Sequence, residues 1–405
     1  MLTSLSLIFL VGLAMASVCQ RLKFPRIIGM LFTGLVLGPY VLNLLDPSIL
    51  GISAELRQMA LIIILIKAGL SLNISDLKKI GRPAILMSFL PAVFEIAALV
   101  LFAPLLLGVS RLEAALIGAV LGAVSPAVVV PKMVSLIENR YGTDKNVPQL
   151  ILAGASLDDV FVIVLFSTFI SMAQGSSANV MDFVNIPVSI ILGILLGAMV
   201  GWLLALFFET AYAHKHCVRN SLKVIIVLGI AFLLMAIESW LEGVVSISGL
   251  LAIMSMACVL QTKSTGFVSK RLSEKFGKLW LAAEVILFVL VGAAVDIRYT
   301  LEAGFGAVII IFLALVFRSI GVWLCLIGTS LNYKEKLFCV IAYLPKATVQ
   351  AAIGSVPLSL GLPCGNMVLS IAVLSIILTA PLGAFGMDIT YKKFLKKEPP
   401  QTGKA

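Results

Sequence analysis

Gly122-Ala123-Val124-Ser125-Pro126-Ala127-Val128-Val129-Val130-Pro131 places two prolines and a serine inside an apolar run that extends from 112 to 137. A proline removes a backbone donor and its ring crowds the preceding turn, so this run is expected to be an interrupted helix. A second stretch, Leu344-Pro345-Lys346-Ala347-Thr348-Val349-Gln350-Ala351-Ala352-Ile353-Gly354, breaks the run 335–357 in the same way and sets polar residues near its middle. Matching breaks in two halves of a chain point to a transporter site. Prolines also kink packed helices without further role. The site reading is preferred because unwound backbone at mid-depth in a membrane must line a cavity or be buried in protein.

The rest of the chain fits that setting. Of its 405 residues 60% are hydrophobic and 12% charged, and the mean hydropathy of +1.12 excludes a water-soluble globule. A hydrocarbon core takes about 20 apolar residues per helix. Thirteen such runs recur, at 2–20, 25–44, 56–74, 83–108, 112–137, 147–172, 184–210, 221–241, 245–262, 274–296, 301–329, 335–357 and 365–387. The first lacks a basic leading segment and a cleavage site ahead of a soluble domain, so it is read as a span rather than a signal peptide. Basic residues gather in alternate loops: Arg21, Lys23 and Arg26; Lys78, Lys79 and Arg82; Arg140 and Lys145; Lys215, Arg219 and Lys223; Lys263 to Lys278; Lys334 and Lys336; and the tail from Lys392 to Lys404. The opposite loops hold Arg57, Arg111 and Arg298. Positive charge collects in the cytoplasm, which puts the N-terminus outside and the C-terminus inside.

The broken runs are the fifth and the twelfth, seven apart, so they cross the membrane in opposite directions. The expected fold is therefore an all-α membrane protein of thirteen transmembrane helices, an inverted repeat with two crossed interrupted helices. Residues 1–172 form the first repeat, 184–210 a connecting helix, 221–387 the second repeat and 388–405 a short cytoplasmic tail, all within one transporter unit, 1–405. Ile28-Gly29-Met30-Leu31 and Ser248-Gly249-Leu250-Leu251 are a faint echo between the halves.

Several functions are excluded. Thirty Lys plus Arg against twenty Asp plus Glu leave a net charge of +10, but the charges form no stripe suited to nucleic acid. There is no phosphate-binding loop, so no nucleotide partner is expected. Cys19, Cys217, Cys258, Cys325, Cys339 and Cys364 show neither paired nor metal-ligand spacing, and are read as small apolar residues. No cofactor and no enzymatic reaction are expected.

An ionised group at the bilayer centre costs at least about 2.5 kcal/mol, so intramembrane charges are functional candidates. They are Asp158 and Asp159 in the sixth run, Glu95 in the fourth, Glu284 in the tenth, Arg318 in the eleventh and Lys346 in the twelfth. Asp158 and Asp159 lie about 17 Å along their helix from Val147, near mid-bilayer and beside the breaks. Adjacent residues point about 100° apart, which rules out the facing carboxylates of an aspartyl protease but lets both border one cavity. Their oxygens, with those of Ser125 and Thr348 and the carbonyls freed at the breaks, suit a small alkali cation. Two like charges in low dielectric also attract a proton, which then competes with that cation. A purely structural pair is the alternative, though packing needs only one carboxylate. Glu95 and Arg318, in matching places of the two halves, are expected to be a structural ion pair. Lys346 either offsets the dipoles of the half-helices or pairs with Asp158. Glu284 belongs to a cytoplasmic funnel or bonds a broken helix. Lys67 and Lys132 are expected to snorkel, and His214 and His216 to be solvated in a loop.

Leu22-Lys23-Phe24-Pro25-Arg26-Ile27-Ile28-Gly29, continuing to Gly34-Leu35-Val36-Leu37-Gly38-Pro39, together with Gly154-Ala155-Ser156-Leu157-Asp158-Asp159-Val160 and Leu344 to Gly354, resembles the cation/proton antiporter superfamily in its paired-aspartate sodium/proton branch. The resemblance covers nearly the whole chain. It implies a homodimer with a fixed dimerisation domain and a moving core, elevator-like alternating access, Asp159 as chief sodium and proton ligand, and Asp158 as its partner carboxylate. One departure stands out. Electrogenic relatives carry a lysine where this chain has Arg318, and an arginine does not release its proton. Electroneutral one-for-one exchange is therefore expected, with two-for-one left open through Lys346. The function expected is exchange of protons for sodium, or lithium, across the cell (inner) membrane. A potassium/proton exchanger is the near alternative, and a sodium-coupled symporter or channel on a related fold the more distant one.

Overall fold

The computed structural model describes residues 1–22, 24–71, 81–174, 180–213, 220–241, 247–264 and 266–398. Lys23, Lys78, Lys79, His214, Lys215, His216, Cys217, Arg219 and Lys404 lie outside the described residues. Among the described residues every regular element is a helix. In chain order these are α1 (Leu2–Arg21), α2 (Arg26–Leu37), α3 (Pro47–Gly51), α4 (Ser53–Ser71), α5 (Arg82–Met87), α6 (Leu90–Leu107), α7 (Arg111–Leu121), α8 (Pro126–Glu138), α9 (Val147–Ala173), α10 (Val180–Ala213), α11 (Asn220–Leu241), α12 (Gly249–Lys263), α13 (Gly266–Ala293), α14 (Ile297–Cys325), α15 (Tyr333–Ala342), α16 (Thr348–Ile353), α17 (Val356–Ser359) and α18 (Gly365–Phe394).

Seven helical stretches among the described residues are long and apolar enough to cross a membrane: Leu2–Arg21, Arg82–Leu107, Ile191–Glu209, Ser221–Leu241, Val268–Ala293, Gly304–Cys325 and Gly365–Phe394. The proline-broken run is divided. Helices α7 and α8 hold 11 and 13 residues, about 17 and 20 Å at the helical rise, and neither spans a 30 Å hydrocarbon layer alone.

The two divided runs start alike. Ser110 Oγ accepts from Glu113 N at 3.2 Å while Glu113 Oε2 accepts from Ser110 N at 2.7 Å, capping α7. Asn332 and Glu335 repeat the arrangement at α15, at 2.9 and 2.7 Å. Each pair satisfies two amides that a helix start otherwise leaves bare. The runs stop at residues 122–125 and 343–347, and the breaks touch: Ser125 N donates to Pro345 O at 2.8 Å.

A close approach seats α14 against α6. A Cβ on Gly321 would lie 2.9 Å from Pro91 Cα, so the two backbones meet there. One turn away along each helix, Arg318 and Glu95 face each other. Below the breaks a separate apolar cluster gathers Met87, Val129, Met133, Ile151, Val322, Phe338, Tyr343 and Leu395 from α5, α8, α9, α14, α15 and the chain after α18.

That last segment folds back as a strap. Leu395 to Glu398 runs antiparallel to the loop between α8 and α9, with a bridge between Tyr141 and Lys397. Gly142 N donates to Lys396 O at 2.8 Å and Glu398 N to Arg140 O at 2.9 Å. Thr143 Oγ1 donates to Glu398 Oε2 at 2.7 Å. Lys132 does more than snorkel: it pairs with Asp388 and lies 4.2 Å from the centre of the Tyr391 ring. Arg57, assigned above to an outer loop, instead lies on α4 and is 6% exposed, with Nε and Nη1 bonded to nothing among the described residues. Its aliphatic stem and the apolar run that follows extend the helix back past the charge.

Candidate functional site

The break after α7 leaves the carbonyls of Leu121, Gly122 and Ala123 without helical partners, and the break after α15 does the same for Tyr343. Three side chains supply the missing donors. Arg318 donates through Nε to Tyr343 O at 2.7 Å and through Nη1 to Gly122 O. Lys346 Nζ donates to Leu121 O at 2.5 Å. Gln350 Nε2 donates to Ala123 O at 2.8 Å and to Leu121 O at 3.3 Å. The freed carbonyls expected to serve as cation ligands are thus largely occupied, because two cationic side chains and an amide from the second half of the chain reach them.

The cations are held in turn by carboxylates. Arg318 Nη1 meets Glu95 Oε2 and Nη2 meets Asp158 Oδ2, each at 2.8 Å. Lys346 Nζ meets Glu95 Oε2 at 2.7 Å. Asp158 Oδ2 also accepts from Val124 N at 2.8 Å. All four side chains have lost their exposure entirely. The expected Glu95–Arg318 pair is present, but Arg318 is not confined to it and bridges Glu95 to Asp158. Of the two roles weighed for Lys346, offsetting the half-helix dipole matches its bond to the end of α7, and the carboxylate it meets is Glu95 rather than Asp158.

Several oxygens of the cluster remain, Glu95 Oε1 among them. Ser125 Oγ, Thr348 Oγ1, Asp158 Oδ1 and Asp159 Oδ1 are all buried and none has a hydrogen-bond partner among the described residues. Ser125 precedes α8, Thr348 opens α16, and the aspartates sit mid-way along α9. An unsatisfied buried oxygen costs about 1–3 kcal/mol, and hydroxyl and carboxylate oxygens are hard donors of the kind that suits a small monovalent cation. Glu284 is not among them. It is half-buried on α13, where Arg26 and Lys67 are its charged neighbours, and Lys67 Nζ stands 5.7 Å from the Trp280 ring centre.

Sequence reasoning missed the neutral members. Gln350 braces both breaks, since its Oε1 also accepts from Ala347 N at 2.8 Å. Thr379 Oγ1 on α18 accepts from Lys346 N at 2.9 Å. Tyr343 lies under Arg318, its ring centre 5.5 Å from the guanidinium carbon. No cue in the sequence separates these three from the neutral polar residues that ordinary membrane helices tolerate.

Comparison with known proteins settles the family. The family model described as "Sodium/hydrogen exchanger, transmembrane" matches residues 5–392. The chain belongs to the sodium/hydrogen exchanger family. It is 33% identical over 356 residues to sodium/hydrogen exchanger 9B2 of Homo sapiens, covering 85% of this chain and 65% of that protein. To sodium/hydrogen exchanger 9B1 of Homo sapiens it is 31% identical over 361 residues, covering 85% and 67%. The chain therefore spans about two thirds of the length of these relatives. Among solved structures, the sodium proton antiporter MjNhaP1 of Methanocaldococcus jannaschii superposes with a TM-score of 0.83 over 97% of this chain and 98% of its own, at 22% identity. The family member described here shares that fold. In it, the oxygens left over once Arg318, Lys346 and Gln350 are satisfied are those of the aspartate pair, Glu95 Oε1 and the hydroxyls of Ser125, Thr348 and Tyr343.

Proposed function

We propose that this chain is a secondary antiporter that exchanges one proton for one sodium ion, with lithium as an alternative ion, at Asp158 and Asp159. It is a transporter rather than an enzyme and works without a cofactor. The observation that carries the reading is the charge balance of the buried cluster. Asp158 and Glu95 face Arg318 and Lys346 in one connected network, and Asp159, buried next to Asp158, feels the charges of Asp158 and Arg318 without a direct ion pair to either base among the described residues. Three carboxylates against two bases leave one negative charge in a low-dielectric interior, where an uncompensated charge costs several kcal/mol. One proton or one sodium ion neutralises it, and the two exclude each other. Loaded with either, the site is neutral, so a cycle that carries one in each direction moves no net charge. Arg318 is already shared between two carboxylates and stays charged, which supports electroneutral exchange.

In this reading Asp159 binds the sodium ion and the proton. Asp158 is fixed by Arg318 and Val124, and Ser125 and Thr348 contribute hydroxyl oxygens. Glu95 sets the charge count, and Glu284 belongs to the cytoplasmic approach. The chain forms thirteen spans in an inverted repeat, 1–172 and 221–387, joined by 184–210 and followed by a cytoplasmic tail. The paired capping boxes of α7 and α15 and the contact between the two breaks support that symmetry. The protein sits in the cell membrane with its N-terminus outside, works as a homodimer, and moves its core past a fixed dimerisation domain.

The test is proton flux in proteoliposomes, read by dequenching of a pH dye on addition of sodium, lithium or potassium. Wild type responds to sodium and lithium, and Asp159→Asn does not while remaining folded. Sodium-dependent flux in that variant would remove the assignment. A response to potassium alone would replace sodium by potassium, and dependence on an imposed voltage at clamped gradients would remove the one-for-one stoichiometry.

A further inference from the structure

One further buried oxygen at the breaks has no place in the scheme above. The hydroxyl of Tyr343 is buried and makes no hydrogen bond among the described residues, although the residue is wholly enclosed. Its backbone is fixed by Arg318 Nε on its carbonyl at 2.7 Å. Its hydroxyl lies against the backbone of α9 at Gly154, where an added Cβ would be 2.0 Å from the oxygen. Glycine is required there for the phenol to enter.

Gly154 is four residues before Asp158, on the same face of α9, where side-chain origins stand about 5–6 Å apart. Side chains on a helix tilt toward its N-terminus, so the Asp158 carboxylate leans toward Gly154. Two orphaned groups therefore share one helical face: a phenol that can donate and Asp158 Oδ1, an acceptor with no donor. A direct bond, or one through a single water, would satisfy both groups. A phenylalanine would fill the same space without leaving a polar atom unbonded.

We infer that Tyr343 is a positioning residue for exchange, donating its hydroxyl to Asp158 Oδ1, directly or through one water, when the aspartate pair holds neither proton nor sodium. The inference rests on the antiport reading of that pair. In the loaded states the added positive charge satisfies the carboxylates and the phenol is released. The ionisable groups around Tyr343 are Asp158 on α9, Arg318 and Cys325 on α14 and Cys339 on α15. Those around Asp158 are Arg318 and Lys346 and the adjoining Asp159. Of the ionisable groups, Tyr343 is the one whose hydroxyl lies against α9 one turn before Asp158.

The experiment compares Tyr343→Phe and Tyr343→Leu with wild type in proteoliposomes, measuring sodium KM, maximal rate and the pH profile, with melting in detergent alongside. A donor to a carboxylate favours its ionised form. Without it the empty site is less stable and both proton and sodium bind it more tightly, so in Tyr343→Phe sodium KM at alkaline pH falls about tenfold and the pH at which protons begin to compete moves about one unit to the alkaline side, the size of a bond to a charged group. Maximal rate at saturating sodium and melting temperature stay at wild-type values, since no bond present in the fold is lost. Tyr343→Leu shows the same KM shift and also melts earlier, because the ring packs beneath Arg318. Wild-type KM and pH profile in Tyr343→Phe overturn the inference, as does a loss of rate that merely follows a loss of melting temperature. Asp159→Asn keeps the two ideas apart: flux surviving there removes the exchange reading, whereas a dead Asp159→Asn beside an unaltered Tyr343→Phe removes only the role of the phenol.

Discussion

Arg318 Nη2 and Asp158 Oδ2 lie 2.8 Å apart with neither side chain exposed, and the same guanidinium holds Glu95 and the carbonyls of Gly122 and Tyr343. One side chain thus joins α14 to α6, to α9 and to both helix breaks. The planar fork of an arginine aims several donors at once, which a lysine does not.

Arg318→Lys therefore keeps the charge and loses the geometry. Two or more buried acceptors are left bare, and the protein is expected to lose at least about 2 kcal/mol of stability. Arg318→Ala, which also strands Asp158 and Glu95, is expected to lose about 3–5 kcal/mol. Thermal unfolding in detergent checks both. A lysine variant that melts with wild type would mean that the fork is not what holds the breaks.

The charge count makes a compensation test possible. Glu95→Gln brings the cluster to two carboxylates against two bases, so an incoming sodium ion is no longer needed for neutrality and its KM rises. Lys346→Met shifts the count the other way, and the site holds a proton more strongly. The double variant restores one net negative charge, and sodium KM returns toward wild type although both partners of a 2.7 Å ion pair are gone. Kinetics of the four proteins form a double-mutant cycle, with a coupling expected at about 1–3 kcal/mol. If the double variant is worse than either single change, Glu95 acts as a structural tie alone.

What could be read from the sequence follows from how costly each feature is in lipid. A charge or a proline in an apolar run stands out, so the aspartate pair, the breaks at Ser125 and Pro345, and the Glu95–Arg318 pair were all visible. Neutral polar residues do not stand out: Gln350, Thr379 and Tyr343 are tolerated in ordinary membrane helices, and only coordinates show that they face the breaks. Gly154 is subtler, because its role lies in the atom it lacks. Arg57 was counted with a loop although the run 56–74 includes it, because a charge in the first turns of a span reads as lying outside the lipid; the helix begins at Ser53 and buries it. Lys346 was expected either to offset the half-helix dipoles or to pair with Asp158; helix packing, which the sequence does not encode locally, brings it to the Leu121 carbonyl and to Glu95.

Competition for one negative charge fixes the sign of the pH dependence. At a set sodium concentration, acidification fills the site with protons, so exchange slows as pH falls and apparent sodium KM rises. Saturating sodium recovers the maximal rate wherever the opposite side can still release protons. Flux measured at several pH values over a sodium series checks this. A maximal rate that falls with pH while KM stays constant would place the titrating group outside the ion site.

The strap after α18 reaches the ion site through the helices it ties. Leu395 is 4% exposed and packs on Gly142, in the loop that joins the end of α8 to the start of α9. Ser125 begins α8, and the aspartates are carried by α9. Any slippage between these helices therefore changes the distance from the Ser125 hydroxyl to the carboxylates. Leu395→Ala is expected to lose about 2–4 kcal/mol as a buried truncation and to raise sodium KM as the two helices loosen. Thr143→Val, which removes the 2.7 Å bond to Glu398, is expected to lose about 1 kcal/mol and to shift KM less. Lys393→Ala, at an exposed position of α18, leaves both quantities unchanged. Melting temperature and sodium KM measured on the three variants decide the matter. A Leu395→Ala protein that melts earlier but binds sodium as wild type does would confine the strap to stability and uncouple it from the oxygens it sits beneath.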